Sequence, residues 1–166
     1  MVFENIKDID LTHIFECGQC FRWVPDGPEA YTGAAGSFAA RISLSDGCLN
    51  VDATGGDEAF WRRYFDLDTD YGAIKNKLTD SEPLIKPATE YGYGIRILNQ
   101  DPFETIISFI ISQNNNIPRI RKNTESLCRA YGEPIEGSSL YAFPSPEALA
   151  GAEICDLAGL RLGYRC

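Results

Sequence analysis

A second histidine is missing from this chain of 166 residues; His13 stands alone. That excludes HExxH zinc sites and clustered-histidine metal centres, and it leaves little for a serine–histidine–aspartate triad. No apolar run reaches the ~18–20 residues that a membrane helix needs, so no membrane partner is expected. The opening MVFENIKDID is neither basic nor apolar, which predicts no secretory leader and a cytoplasmic protein. Cations are scarce as well. Against 24 Asp and Glu there are 15 Lys and Arg, a net charge of −9. Such acidity is a poor starting point for nucleic-acid binding, because phosphate neutralisation supplies most non-specific affinity. The deficit is uneven: residues 1–95 carry 16 acids and 8 bases, residues 96–166 carry 8 and 7. Only a local basic site could overturn the charge argument.

What is present reads as folded. Hydrophobic residues make up 44% and charged residues 23%, as in globular proteins of one or two small domains. Six cysteines stand at 17, 20, 48, 128, 155 and 166. Cys17 and Cys20 form a CxxC with His13 four residues upstream, which suits a redox pair or half of a zinc site. No second CxxC follows, and CFRW reads as entry into a strand. Small, half-buried side chains are therefore the reading taken, with no metal and no cofactor expected.

Short β-type runs fill Cys20–Thr54, with Asp46-Gly47 as a hairpin cue, and predict an antiparallel sheet of about four strands. One helical turn is expected over 10–17. A helix follows in which Phe60, Trp61, Tyr64 and Phe65 share a face, then another over 70–79. Segment 82–95, broken by Pro87, Gly92 and Gly94, is the expected boundary. The fold class is α+β, with 1–95 a sheet domain with helices and 96–166 the start of a helical domain.

The helical region is well punctuated. Asp101-Pro102-Phe103-Glu104 reads as N-cap, N1 proline and capping-box glutamate. Phe103, Ile106, Ile107, Ile110 and Ile111, widened by Phe109, predict a central helix wrapped from more than one side. After Gln113-Asn114-Asn115-Asn116 a second helix turns Ile120, Thr124, Leu127, Cys128 and Tyr131 inward. It carries Arg119, Lys122 and Arg129 outward. A third helix starts at Ser145-Pro146. The first two resemble a helix-turn-helix, although charge alone would make the basic face merely solvated. One asparagine suffices for a cap, so the other two are candidates to bind a ligand with mixed donors and acceptors, such as a nucleobase.

Six segments carry a resemblance. GQCFRW at 18–23, YFDLD at 64–68, LNQDPFE at 98–104, SQNNNIPRI at 112–120, FPSPEALA at 143–150 and LGYR at 162–165 resemble the 8-oxoguanine DNA glycosylase/AP lyase family of the helix-hairpin-helix superfamily. They follow the family's order over nearly the whole chain. The resemblance implies a TATA-binding-protein-like sheet domain, then the first helices of the glycosylase domain. It implies base excision repair of 8-oxoguanine opposite cytosine, double-stranded DNA as partner, and nucleoid association if the source is bacterial. Gly18 matches the glycine whose carbonyl meets the flipped base. That carbonyl would accept from N7–H of 8-oxoguanine and face the N7 lone pair of guanine, an unpaired-group penalty of ~1–3 kcal/mol. Asn114, Arg119 and Arg165 match the residues that hold the widowed cytosine, whose adjacent N3 and O2 acceptors suit guanidinium donors. Tyr164 matches an aromatic wedge beside the vacated stack.

The family's catalytic lysine and aspartate would fall beyond Cys166, so this chain is expected to hold no catalytic residue and to be the N-terminal portion of the enzyme. Weak DNA binding is expected of it alone, with self-association through an uncovered helix 102–112. An alkylation-type glycosylase of the same fold, a non-catalytic DNA- or protein-binding module and a CxxC thiol protein are the rival readings.

Overall fold

Asp46 and Gly47 both take left-handed backbone, at φ 50° and 72°. They join β4 (Phe38–Ser45) to β5 (Cys48–Ala53) in a two-residue turn that pairs Ser45 with Cys48, as an Asp-Gly hairpin should. The computed structural model describes residues 1–163. With β2 (Trp23–Pro25) and β3 (Ala30–Ala35), these strands form the expected antiparallel sheet. A fifth strand, β1 (Val2–Phe3), adds to the β5 edge, giving the order β1-β5-β4-β3-β2. Two residues are too few to show an alternating pattern, so β1 was invisible in the sequence.

Helices α1 (Leu11–Phe15) and α2 (Glu58–Tyr64) close this sheet. Both are N-capped by aspartate: Asp10 accepts from the His13 amide and Asp57 from that of Phe60. Phe15, Trp23, Ile42, Leu49, Trp61 and Phe65 are fully buried in the core between them. Each such side chain contributes ~1.5–3 kcal/mol of burial. The two indoles are also satisfied. Trp23 Nε1 donates to the Tyr64 hydroxyl at 2.8 Å, and Trp61 Nε1 to the Gly55 carbonyl at 3.1 Å.

Helix α3 (Tyr71–Ser81), a 3-10 turn (Pro83–Ile85) and α4 (Lys86–Tyr91) follow. Pro87 does not break this segment: it sits in the first turn of α4, where a missing N–H costs nothing. The chain then returns along the core. Arg96 is 4% exposed, and its guanidinium donates to the carbonyls of Lys7, Asp8 and Asp66. Its face lies over the Tyr71 ring at 4.6 Å. Burial lowers the pKa of Arg96 below the usual guanidinium value.

Helices α5 (Pro102–Ser112), α6 (Ile117–Tyr131), α7 (Pro146–Ala150) and α8 (Ile154–Gly159) gather around a second core. Ile111, Ile120, Leu127 and Leu162 are buried there, with Phe21 reaching in from the sheet side. The inward face of α6 is as expected, with Tyr131 half-buried and Asn123 an unforeseen addition. Helix α5 differs from its expected wrapping. It buries Glu104, Ser108 and Ile111, while Ile106, Phe109 and Ile110 are 58%, 65% and 42% exposed. The apolar arc is broad because two faces are apolar, and only one is covered among the described residues.

Candidate nucleic-acid interface

Gly18 lies in the loop between α1 and β2 at φ +88°, a region open to glycine and costly for most other residues. A side chain there would meet nothing within 4 Å. Backbone conformation, not crowding within the chain, therefore calls for glycine. Gln19 fixes the loop. Its Nε2 donates to the carbonyls of Ile14 and Arg96, its Oε1 accepts from the Leu98 amide, and its own carbonyl accepts from Gln100 Nε2. Four bonds of 2.7–3.0 Å hold one residue against two segments.

Beside this loop is a cleft of about 360 Å³. Gly18 and Phe21 form one wall, and Thr105, Ser108, Phe109 and Ser112 of α5 form the other. Sequence reasoning named Gly18 but missed Gln19, which positions it. No local sequence signal points to Gln19, because its partners at Ile14, Arg96, Leu98 and Gln100 come together only in the folded chain.

The asparagine triplet divides its work. Asn114 takes left-handed backbone at φ 48°, which asparagine tolerates, and its residue is exposed. Asn115 Nδ2 donates to the Ile111 carbonyl, and its Oδ1 accepts from the Asn116 amide. Asn116 caps α6 by accepting from the Arg119 amide. Of the two asparagines left over from capping, Asn115 is thus occupied by the turn itself. Asn114 follows Ser112, a wall residue of the Gly18 cleft, by two positions.

Arg119 and Lys122 are exposed on α6, and neither forms an ion pair among the described residues. Arg121 behaves differently. Its Nη2 lies 3.0 Å from Glu16 Oε1, so α6 is tied to the end of α1, two residues before Gly18. Tyr164 and Arg165 lie outside the described residues.

A buried ionic contact joins the residue before β2 to the first turn of α5. Arg22 Nη1 lies 3.9 Å from Glu104 Oε2, and Arg22 Nη2 donates to the Tyr141 carbonyl. Burial pushes the Glu104 carboxyl up to about 7, with Arg22 opposing and Asp101 adding to the rise. Glu104 was expected to complete a capping box. Asp101 does cap α5 by accepting from the Glu104 amide, but the Glu104 side chain turns inward to Arg22. Cys17 is exposed and Cys20 is buried, where desolvation pushes the Cys20 thiol pKa up. His13 packs its ring against Tyr91 and Tyr93. Among the described residues no group of three His, Cys, Asp or Glu is placed to hold a metal ion.

Comparison with known proteins places this arrangement. Residues 1–106 match the family described as 8-oxoguanine DNA glycosylase, N-terminal domain. The N-glycosylase/DNA lyase of Saccharomyces cerevisiae is 30% identical over 185 residues, covering 97% of this chain and 48% of that protein. The Arabidopsis thaliana N-glycosylase/DNA lyase OGG1 is 26% identical, over 95% of this chain and 46% of its own length. The chain spans about half the length of these curated relatives. Among solved structures, MBOgg1 in complex with a low-affinity DNA ligand superposes with a TM-score of 0.92 at 42% identity, over 99% of this chain and 58% of that one. Clostridium acetobutylicum 8-oxoguanine glycosylase/lyase, in complex with double-stranded DNA containing cytosine opposite 8-oxoG, gives 0.89 at 36%, over 99% and 58%.

Proposed function

From a chain that belongs to the 8-oxoguanine DNA glycosylase N-terminal domain family, we propose a DNA-repair role: it supplies the N-terminal part of a glycosylase/lyase that removes 8-oxoguanine opposite cytosine. Residues 1–95 would form the sheet domain and 96–166 the opening helices of the catalytic domain. The observation that carries the reading is Gly18, held by Gln19 in left-handed backbone at the mouth of the α5 cleft. A carbonyl fixed that way accepts a hydrogen bond from N7–H of 8-oxoguanine and meets the lone pair of guanine at the same place. Discrimination is a difference of affinities, and an unpaired buried acceptor is an effective way to obtain it.

The other strand is read by different residues. Asn114, Arg119 and Arg165 would hold the unpaired cytosine, and Tyr164 would fill the vacated stack. Excision opposite adenine would fix a mutation, so the opposite base has to be read. Damaged double-stranded DNA is the partner, and extrusion of the base is the step this surface would serve. None of the lysines at 7, 75, 77, 86 and 122 is assigned the attack on the sugar.

The experiment is a binding comparison. The chain is titrated against labelled duplexes bearing 8-oxoguanine opposite cytosine, 8-oxoguanine opposite adenine, and guanine opposite cytosine. Tightest binding to the first is the expected result. Equal binding to all three would sink the reading.

A further inference from the structure

A second groove runs along the flank of α6, between its outer and inward faces. Arg119, Lys122, Asn123 and Ser126 form one wall at helical spacing, and Gly159 at the end of α8 with Leu160 and Arg161 just past it form the other. Its volume is about 530 Å³. Among the described residues three cations line it and no carboxylate does, in a chain whose net charge is −9. Most other bases are neutralised: Arg22, Arg41, Arg62, Lys75, Lys86, Arg121 and Arg129 all have acidic partners. Arg119, Lys122 and Arg161 have none among the described residues.

Two further details point to a ligand. Asn123 is 3% exposed, lines the same groove, and its Nδ2 has no hydrogen-bond partner among the described residues. Buried amides are normally satisfied, so an unmatched donor beside three free cations suits an oxyanion. Arg161 adopts left-handed backbone at φ +60°, uncommon for a residue that is not glycine or asparagine. The conformation sets a cation at the groove's rim.

We infer that this groove binds backbone phosphates of the nucleic-acid strand carrying the cytosine opposite the lesion. The inference rests on the proposed function, which puts Arg119 on that cytosine. Lys122 lies one helical turn beyond Arg119, and Arg161 lies across from it on the opposite wall. These residues would set strand register without reading sequence, the ordinary role of phosphate contacts. Lys122 and Arg161 thus join the interface as positioning residues, distinct from the base-reading set.

The test uses the 166-residue chain and a labelled duplex with 8-oxoguanine opposite cytosine. Each phosphate contact adds about 0.9 to the slope of log affinity against log salt. Lys122→Gln and Arg161→Asn should each lower affinity and flatten that slope by about 0.9, and together by about 1.8. Neutral methylphosphonates on the cytosine strand should weaken the wild type and leave the double variant unaffected. Neither variant should change the preference for cytosine over adenine, whereas Arg119→Ala should. A double variant that keeps the wild-type affinity and slope overturns the inference and leaves the proposed function standing. If the double variant flattens the slope while Arg119→Ala keeps the preference, the phosphate groove stands and the cytosine-reading role fails. A wild-type chain with no salt-dependent duplex binding overturns both.

Discussion

Arg22 and Glu104 face each other across the junction between the sheet and α5, 3.9 Å apart, with side chains only 5% and 10% exposed. Each comes from a different segment of the family resemblance, and neither was read from sequence as the other's partner. Burial dominates this contact. The Glu104 carboxyl is pushed up to about 7 in spite of the guanidinium beside it, and Arg22 Nη1 makes no hydrogen bond.

A pH dependence follows with a definite sign. The folded pKa of Glu104 lies above its ordinary 4.5, so the unfolded chain gives up that proton first. The stabilisation from holding it is complete below 4.5 and is lost as pH rises towards 7. Comparison of wild type with Glu104→Gln in urea should show the wild type losing ground between pH 4.5 and 7. The loss is at most about 3 kcal/mol, because one pKa unit is about 1.4 kcal/mol. A difference that does not vary with pH would mean that the folded and unfolded chains hold the Glu104 proton equally, against the raised pKa.

Removing the other partner should cost more. Arg22→Ala leaves Glu104 buried without a cation and empties space beside Tyr141. Such losses typically run to ~3–5 kcal/mol, eased here once Glu104 protonates. The midpoint of urea unfolding at pH 8 should fall sharply, and fall less at pH 5.

Gly18→Val should be costly for reasons of backbone. A β-branched residue at φ +88° carries strain of ~1–3 kcal/mol. In a chain extended to carry the catalytic lysine and aspartate that the family implies, lesion excision should be lost while the protein stays folded. Gly18→Asn, which tolerates the conformation better, should recover part of the loss. Wild-type excision by Gly18→Val would remove Gly18 from lesion recognition.

The chain alone should neither release 8-oxoguanine nor be trapped on DNA by borohydride, which reduces a Schiff base to a stable crosslink. No lysine among its five has been placed at a sugar C1′. An adduct on denaturing gels would demand a nucleophile within these 166 residues.

The face of α5 that is exposed among the described residues should act as a contact between copies. Ile106, Phe109 and Ile110 make an apolar strip that water favours covering. Sedimentation should show a concentration-dependent dimer that Phe109→Lys abolishes. A monomer at every concentration would contradict this.

Local chemistry was the part of the fold most legible in the sequence. Asp46-Gly47 announced its hairpin, Asp101-Pro102 announced α5, and Asn116 announced the cap of α6, because each rests on neighbouring residues alone. Long-range partners were hidden. Nothing near Glu104 points to Arg22, so it read as a capping-box glutamate, and nothing near Arg121 points to Glu16. At the site, Gly18 was found through family motifs, Arg119 through those motifs and its place on the basic face of α6, and Lys122 through that face alone, while Gln19 and Arg161 needed the folded chain to bring them forward. Asn115 was misjudged for a local reason, since its amide closes the turn that its neighbours begin.

The bonds around Gln19 also couple two stretches of chain in time. The Gly18 loop cannot swing away without giving up the bond to the Leu98 amide, and residues 96–100 cannot peel off without releasing Gln19. The two therefore open as one unit, and the Leu98 amide should exchange with solvent deuterium at the rate of that shared opening. Under the proposed function, a rigid rim of this kind would let a flipped base be compared against a fixed template, because the acceptor would not relax towards the wrong guest.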